Sequence, residues 1–334
     1  MKDPNIAILG ATGAVGREML RVIEEYNIPV NRLILLSGAN SAGTTVPFRG
    51  EKNSVGSAED ADFTGIDYIL GAVSAELSKK YAPAAVSSGA VYIDNSSAFR
   101  LAPDVPLVIP EVNGSDAFSH HGIIANPNCS TIITLMAVGG LARLSPIESM
   151  IVSTYQAVSG AGQKGIAELE EQMRSLAGGN KPQCRVFPRQ IAGNVIPFIG
   201  ELSDDLYTDE ELKMQNEGRR ILHLPSLKVN CTCVRVPVLR SHSISVTLRT
   251  VRKITVSEAK SAISGFPGCR LFDEYDPLPF PTPLDSSRQD TVLVGRVRQD
   301  VTDDRGLTLW CCGDQLRKGA AANAVQIMRM LSGV

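Results

Sequence analysis

Cys129 stands in the run Pro127-Asn128-Cys129-Ser130-Thr131, directly ahead of the apolar stretch Ile132–Val138. Proline blocks helix upstream and asparagine is a good N-cap, so a helix is predicted to open at Cys129. In the first turn of a helix, unpaired N–H groups and the macrodipole favour thiolate over thiol, which activates a nucleophile. A buried apolar cysteine that merely begins a helix has the same local sequence. A nucleophilic thiol needs a proton partner, and the chain has four histidines. His120 and His121 lie in a polar loop, where solvation is expected. His223 closes a predicted helix, where an imidazolium complements the dipole. His242 follows Arg235-Val-Pro-Val-Leu-Arg-Ser at a turn between two strand-like runs. Such a turn either presents a side chain into a cleft or holds an ordinary loop histidine.

Other stretches carry polar chemistry. Tyr155-Gln156-Ala-Val-Ser159-Gly160-Ala-Gly162 ends a strand pattern and opens a helix. Its small residues allow close backbone approach, and Gln156 offers a neutral amide for orienting a carbonyl; a plain strand-to-helix turn reads the same way. Glu210 and Lys213 lie one turn apart on a predicted helix. They can face one pocket, or form a solvated i,i+3 ion pair. Near the start, the strand Asn5–Leu9 enters Gly10-Ala-Thr-Gly13-Ala-Val-Gly16 and then a helix. Gly10 permits the tight turn, Gly13 permits close approach of a pyrophosphate, and the helix N-terminus offers free N–H groups. The spacing is a variant of the commoner G-x-G-x-x-G, but its place between strand and helix indicates a dinucleotide site.

These groups must be positioned by regular elements. The first hundred residues alternate strands (Asn5–Leu9, Leu33–Leu36, Tyr68–Ala72, Val91–Asp94) with helices (Val15–Tyr26, Leu77–Ser87). That order implies βαβ units and a mainly parallel sheet. The character changes near Ile123–Asn128. After a helix from Cys129 to about Leu144, longer alternating strands follow: Met150–Ala157, Thr232–Val238, Ser243–Val251, Thr291–Val297 and Leu307–Cys312. They suggest a large, partly antiparallel sheet. Helices at about Lys164–Leu176, Asp209–Leu222 and Ser257–Ser264 are expected to cover one face, leaving the other for a second copy of the chain in a homodimer. Phe272–Asp290 reads as a surface loop, and Lys318–Leu331 as an amphipathic helix.

Bulk composition agrees with two domains of a soluble α/β protein: 334 residues, 43% hydrophobic and 20% charged. The net charge of −2 gives no general pull toward nucleic acid or anionic membrane. No apolar run is long enough to span a bilayer, and the N-terminus lacks the pattern of a secretory signal. Seven irregularly spaced cysteines read as reduced thiols of a cytoplasmic protein. Cys231, Cys233, Cys311 and Cys312 have no zinc-site spacing and read as buried structural thiols; no metal is expected.

Together these pieces resemble the aspartate-semialdehyde dehydrogenase family over nearly the whole chain. The resemblance rests on Gly10–Gly16, Asp94-Asn-Ser-Ser-Ala-Phe-Arg100, Pro110-Glu-Val-Asn113, Asn126-Pro-Asn-Cys-Ser-Thr131, Ser153–Gly162, Cys233-Val-Arg-Val-Pro-Val238 with His242, and Lys318-Gly-Ala-Ala321. It implies an α/β chain: a Rossmann-like dinucleotide-binding domain (residues 1–128 with 315–334) and an α+β catalytic and dimerisation domain with a large mixed sheet (129–314). It further implies NADPH-dependent conversion of L-aspartyl 4-phosphate to aspartate semialdehyde and phosphate, on the route to lysine, methionine and threonine. By the same resemblance, Cys129 would carry the acyl group, His242 would shuttle a proton, and Gln156 would orient the substrate carbonyl. Arg235 would clamp the α-carboxylate, Glu210 would contact the amino group, and Arg100, Asn128 and Lys213 would hold the leaving phosphate. Gly10, Thr12, Gly13, Ala14, Val15, Asn40, Ser41, Ser159, Gly160 and Gln315 would line the dinucleotide.

The sequence also departs from the family pattern. Asn40 and Thr44 stand where relatives often have arginine and lysine, and Gln315 where asparagine is usual. The second strand ends without the acid that selects NAD, which leaves a 2′-phosphate unopposed but creates no site for it. NADP with a weakened preference over NAD is therefore expected, with Arg49 or Lys52 as candidate compensating cations. The nearest enzymatic alternative is N-acetyl-γ-glutamyl-phosphate reductase. An alternative from another class is a catalytically silent assembly partner, which should have lost Cys129 or His242.

Overall fold

The computed structural model describes residues 3–273 and 276–334. The chain forms two compact units. One takes the chain through Asn128 and again over Ala320–Val334; the other is Cys129–Gly319. Gln315 thus belongs to the unit of Cys129, and the return to the first unit begins at Ala320.

The first unit contains β1 (Asn5–Leu9), α1 (Ala14–Glu25), β2 (Arg32–Ser37), β3 (Thr45–Phe48), β4 (Glu51–Ser57), β5 (Tyr68–Gly71), α2 (Ala75–Ser87), β6 (Val91–Asp94), α3 (Pro110–Asn113), β7 (Ile123–Ala125) and a closing helix, Ala322–Ser332. The sheet order is β3-β4-β2-β1-β5-β6-β7. All its pairs are parallel except β3 with β4. The alternation within β1 explains the layering. Ile6 and Ile8 pack with Met19, Leu20 and Ile23 of α1 and with Val325 and Met328 of the closing helix. Ala7 and Leu9 pack with Tyr81, Ala82 and Ala85 of α2. Both faces are covered, as a parallel sheet requires. The chain leaves β1 for β2 on one side and returns to β5 on the other, so strand order reverses at the carboxyl end of β1, where such sheets bind ligands.

The β3–β4 hairpin has no counterpart in the sequence reading. Pro47 interrupts the strand pattern, and it is tolerated because β3 is an edge strand.

The second unit contains α4 (Cys129–Leu144), β8 (Ile147–Gln156), α5 (Gly162–Ala177), α6 (Asp209–Ile221), β9 (Lys228–Arg235), β10 (His242–Thr250), α7 (Val256–Ser264), β11 (Cys269–Phe272), α8 (Pro283–Ser286), β12 (Val292–Gln299) and β13 (Gly306–Gly313). The order is β11-β12-β13-β10-β8-β9. β8 with β9 and β11 with β12 are parallel, and the other pairs are antiparallel. The apolar helix α4 is buried between α6, α7 and the sheet. A Cβ on its Gly140 would lie 2.4 Å from the Ala262 carbonyl oxygen, so glycine permits the close crossing with α7.

Several expectations change. α6 and α7 cover the sheet together with α4, whereas α5 builds a separate cluster with Phe187, Ile191 and Ala192. The reason is polar. Gln172 of α5 accepts the Ile191 and Ala192 N–H groups at 2.9 and 3.1 Å, and Glu168 accepts that of Arg185 at 2.9 Å, tying the helix to this loop. β9 ends at Arg235, because Pro237 has no N–H to continue the ladder. Of the expected loop Phe272–Asp290, residues 274 and 275 lie outside the described residues, Phe272 ends β11, and Pro283–Ser286 is α8. Arg317–Ala321 is a π-helical turn, and the regular helix starts only at Ala322. The sheet face opposite α4 exposes Ile151 by 61% and Tyr155 by 38%. Among the described residues, no helix is long and apolar enough to cross a membrane.

Candidate active site

In the second unit, three strand ends and one helix start meet. β8 and β9 run parallel with Gln156 beside Arg235, the last residue of each. β10 runs antiparallel to β8, so its first residue, His242, lies beside the same edge. α4 begins at Cys129, whose Sγ is 3.4 Å from His242 Nε2. The first-turn N–H groups of α4 favour negative charge at that sulfur.

His242 does not sit in an open turn as the sequence suggested. It is the first strand residue, fully buried, with Nδ1 accepting the Ala157 backbone N–H at 3.1 Å. Burial, followed by the nearby Arg235 charge, holds its pKa well below the ordinary histidine value. Arg235 is also buried and donates through Nη1 to the Ala157 carbonyl at 2.7 Å. Burial lowers its pKa, although a guanidinium stays charged. Gly160 makes room for it, since a Cβ there would lie 2.7 Å from Arg235 Nη1.

Gln156 is buried and oriented at both ends of its amide. Its Oε1 accepts from Thr154 Oγ1 at 3.0 Å, and its Nε2 donates to Glu210 Oε1 at 3.2 Å. Glu210 accepts from Lys213 Nζ at 3.1 Å, and Asp209 from the same ammonium at 2.7 Å. Burial opposes the Lys213 charge, but Glu210 and Asp209 outweigh it and raise the pKa. The pair is not the solvated one: Glu210 is 10% exposed at the side chain and bonded to Gln156.

Gln315 is held at both ends of its carboxamide. Its Oε1 accepts the Ser241 N–H at 2.8 Å, and its Nε2 donates to Ser159 Oγ. The carboxamide expected to face a dinucleotide is engaged at both ends inside this unit. Gly319, in the π turn, lets the chain pass Cys129, since a Cβ there would lie 3.0 Å from the cysteine Cβ. Cys231, Cys233, Cys311 and Cys312 are buried, and burial pushes the Cys312 thiol to about 11.

The first unit holds the glycine turn. Gly10 has φ +91°, and a Cβ there would lie 2.3 Å from the Ala72 carbonyl oxygen. A Cβ on Gly16 would lie 2.3 Å from the Gly10 oxygen, so the turn closes tightly. Thr12 Oγ1 is 2.8 Å from Ser37 Oγ, which ties the turn to the end of β2. Ala14 and Val15 open α1, and no side chain caps its first turn at Gly13. These free N–H groups suit a pyrophosphate. Asn95, just after β6, donates to the Gly71 carbonyl at 2.9 Å, while its buried Oδ1 has no hydrogen-bond partner. The residues therefore fit a dinucleotide.

The turn expected to hold the far end of that ligand is exposed. Asn40 and Ser41 lie in a 3-10 turn over Ala39–Ser41, and Thr44 Oγ1 donates to the Ser41 carbonyl at 2.6 Å. Arg49 does not supply the missing charge: its guanidinium donates to the Ile28 carbonyl beyond the far end of α1 and lies over Phe48. Lys52 is exposed in β4. Arg100 is buried and donates to the Asn126 and Asn95 carbonyls at 3.0 and 2.9 Å, binding the segment that leads through Asn128 to Cys129.

His120 is half-buried rather than solvated, with Nδ1 accepting from Gly122 N–H at 3.0 Å. His223 follows α6 at φ +54°. Sequence reasoning missed Thr154, Asn95 and the Ala157 amide. Thr154 is discoverable as the same-face neighbour two residues before Gln156. A backbone amide has no sequence signature.

Two family models match: the NAD binding domain of semialdehyde dehydrogenase over residues 5–120 and its dimerisation domain over residues 138–318. Aspartate-semialdehyde dehydrogenase of Synechocystis sp. is 45% identical over 326 residues, covering 98% of this chain and 96% of that protein. The Aquifex aeolicus enzyme of the same name is 44% identical, with 98% and 97% covered. The structure of aspartate semialdehyde dehydrogenase II complexed with ASA from Vibrio cholerae superposes with a TM-score of 0.97 at 43% identity, covering 100% of this chain and 99% of that one.

Proposed function

The chain belongs to the aspartate-semialdehyde dehydrogenase family, and on that premise we propose that it converts L-aspartyl 4-phosphate to L-aspartate 4-semialdehyde by NADPH-dependent reductive dephosphorylation. The product serves lysine, methionine and threonine biosynthesis, and the setting is the cytoplasm. The observation that carries this reading is the cluster around Cys129: a thiol 3.4 Å from an imidazole, with Gln156, Arg235, Glu210 and Lys213 at the adjoining strand ends and helix.

Cys129 attacks the acyl-phosphate carbon, phosphate departs, and an acyl-thioester remains on the sulfur. His242 serves as the partner of that sulfur. Gln156, held by Thr154 and Glu210, directs its amide at the reacting carbonyl. Arg235 pairs with the substrate α-carboxylate, a task for a planar two-point donor. Glu210 takes the amino group, while Lys213, Arg100 and Asn128 receive the phosphate. The turn Gly10–Val15, with Asn40, Ser41, Ser159 and Gly160, holds the dinucleotide, and Gln315 supports Ser159. When bound, the dinucleotide supplies a hydride.

NADP is the cofactor, with weakened preference over NAD, because Asn40, Ser41 and Thr44 offer hydrogen bonds but no charge to a 2′-phosphate. The open sheet face bearing Ile151 and Tyr155 pairs with a second copy in a homodimer; a monomer by light scattering at working concentration contradicts this.

A steady-state assay with aspartate semialdehyde and phosphate, comparing NADP with NAD, tests the whole reading. Phosphate-dependent reduction of NADP, with measurable but slower reduction of NAD, is expected. Turnover with N-acetylglutamate semialdehyde in place of aspartate semialdehyde overturns the substrate assignment, and absence of turnover with both aldehydes overturns the enzymatic reading.

A further inference from the structure

We infer that Phe187 is a positioning residue for the Arg235 guanidinium, and that Glu168 and Gln172 of α5 keep it in place by fixing the backbone of residues 183–192. This rests on the reading of Arg235 as a carboxylate clamp, whatever substrate carries that carboxylate.

One segment of the chain grips Arg235 at two points. The Arg235 backbone N–H donates to the Ile196 carbonyl at 2.8 Å, and its carbonyl accepts the Ile196 N–H at 2.9 Å. Earlier in the same segment, Phe187 brings its ring to the side chain, with Arg235 Cζ 6.0 Å from the ring centre. At that reach a guanidinium is drawn to an aromatic face, most strongly where water is excluded. Both residues are buried. The single bond from Nη1 to the Ala157 carbonyl leaves the guanidinium plane free to turn about it, and the ring supplies the second contact that sets the plane. A carboxylate held by two parallel N–H groups depends on that plane. The guanidinium also adjoins the reacting groups. A Cβ on Gly160 would lie 2.7 Å from Arg235 Nη1 and 3.5 Å from Cε1 of His242, the imidazole that faces the Cys129 sulfur.

Packing holds the Phe187 ring on one side. There it joins Val158, Leu169, Ile191 and Ile196, and a Cβ on Gly165 of α5 would lie 3.2 Å from the ring Cζ. On another side it borders a cavity of about 390 Å³, whose wall includes Val186, Pro188, Phe198 and Arg235. A ring with open space beside it has somewhere to move, so its backbone must be fixed by other means. Those means are polar. The N–H groups of Arg185, Val186 and Phe187 all donate to the buried Glu168 carboxylate, the first at 2.9 Å and the last at 3.3 Å. Three successive amides turned onto one anion form a backbone nest, and bonds to a charged acceptor are stronger than neutral ones. Gln172, one turn further along α5, completes the hold. Its Nε2 donates to Glu168 Oε1 at 3.1 Å and to the Gln183 carbonyl at 2.8 Å, while its Oε1 accepts from Ile191 and Ala192.

The test uses the full chain without cofactor. Alkylation of Cys129 by iodoacetate is compared with alkylation by iodoacetamide, read on the Cys129 peptide by mass spectrometry. Both reagents form the same C–S bond and release iodide, and they differ in the carboxylate that Arg235 can hold. Arg235→Ala removes the clamp and sets the scale. Phe187→Leu, which keeps apolar volume and drops the aromatic face, should lower the iodoacetate-to-iodoacetamide rate ratio by roughly three- to tenfold, the worth of a desolvated cation–π contact. The iodoacetamide rate should hardly change. Glu168→Gln should lower the ratio in the same sense. Leu169→Val loosens the same apolar cluster from a position off the cavity wall. It should lower the unfolding midpoint and leave the ratio unchanged. A wild-type ratio in Phe187→Leu, where Arg235→Ala lowers it, overturns the positioning role. An equal fall in Leu169→Val also overturns it, since lost packing then explains both. A wild-type ratio in Arg235→Ala rejects the clamp reading and this inference with it. In turnover, Phe187→Leu should raise KM for aspartate semialdehyde with little change in kcat. Inactivity of the wild type toward that aldehyde rejects the proposed substrate and leaves the alkylation result standing.

Discussion

The thiol cluster of the second unit and the Asn40 turn of the first are built on opposite terms. Around Cys129 the polar side chains are buried and spoken for. His242 is bound at both nitrogens, Gln156 at both ends of its amide, and Arg235 to a backbone carbonyl. Around Asn40 the chain is an exposed short turn whose contacts are local, such as Thr44 to the Ser41 carbonyl. The difference teaches where substitution is tolerated. In the cluster the side chains hold one another or the backbone, so replacing one leaves a buried group without its partner. In the turn a residue can change without disturbing the fold, which suits the proposal that cofactor preference is set there.

The largest effect should come from the cluster. Cys129→Ser is expected to lower turnover by roughly ten-thousandfold or more, as loss of a covalent nucleophile does, with dinucleotide binding by fluorescence titration unchanged. Full turnover in the variant removes the covalent mechanism. At the turn, Asn40→Arg combined with Thr44→Lys should raise the kcat/KM ratio of NADP over NAD by roughly ten- to a hundredfold, from charge-assisted phosphate contacts. Unfolding midpoints should stay the same; a large stability loss contradicts the view that the turn is free to vary. Gly160→Ala returns to the cluster with a single methyl group, which must displace Arg235 Nη1 from 2.7 Å. It should cost about tenfold in kcat/KM, mostly through KM, as a small misplacement of a substrate clamp does. An unaltered KM separates Arg235 from substrate binding.

The smallest effect concerns stability. The folded-state pKa of His242 is depressed, so below about pH 6.5 the unfolded chain takes up a proton that the folded chain refuses. Stability from this group is fully present above the unfolded pKa. It is lost as pH falls, by up to about 1.4 kcal/mol per pH unit, until the depressed folded value is reached. Urea unfolding at pH 7.5 and pH 5.5 should show the wild type losing more than His242→Gln. Equal losses mean that the folded protein accommodates the imidazolium.

The parts of the site readable from sequence were those with local causes. Pro127 and Asn128 mark the start of α4, so Cys129 was placed by capping rules alone. The strand–glycine–helix order marked the tight turn between β1 and α1. The β3–β4 hairpin escaped because Pro47 breaks the pattern that only an edge strand forgives. α5 was assigned to the sheet because its period was right. Its inward Glu168 and Gln172 instead bind a loop, and periodicity does not say which surface an inward face will meet. Arg49 was a candidate cation by type, yet its guanidinium closes on the Ile28 carbonyl.

The sequence by itself determined the two kinds of sheet, the helix start at Cys129 and the cast of polar residues. Capping, turn chemistry and hydrophobic period act over a few neighbouring positions, and no partner from elsewhere in the chain is needed to express them. Only the tertiary structure decided that His242 is buried at the first position of β10, that Gln315 binds Ser241 and Ser159, and that the Ala157 amide meets an imidazole 85 positions away. Those outcomes depend on strand register and on hydrogen bonds between segments brought together by the core. A backbone N–H is common to nearly every residue, so nothing in its own letter announces where it will point.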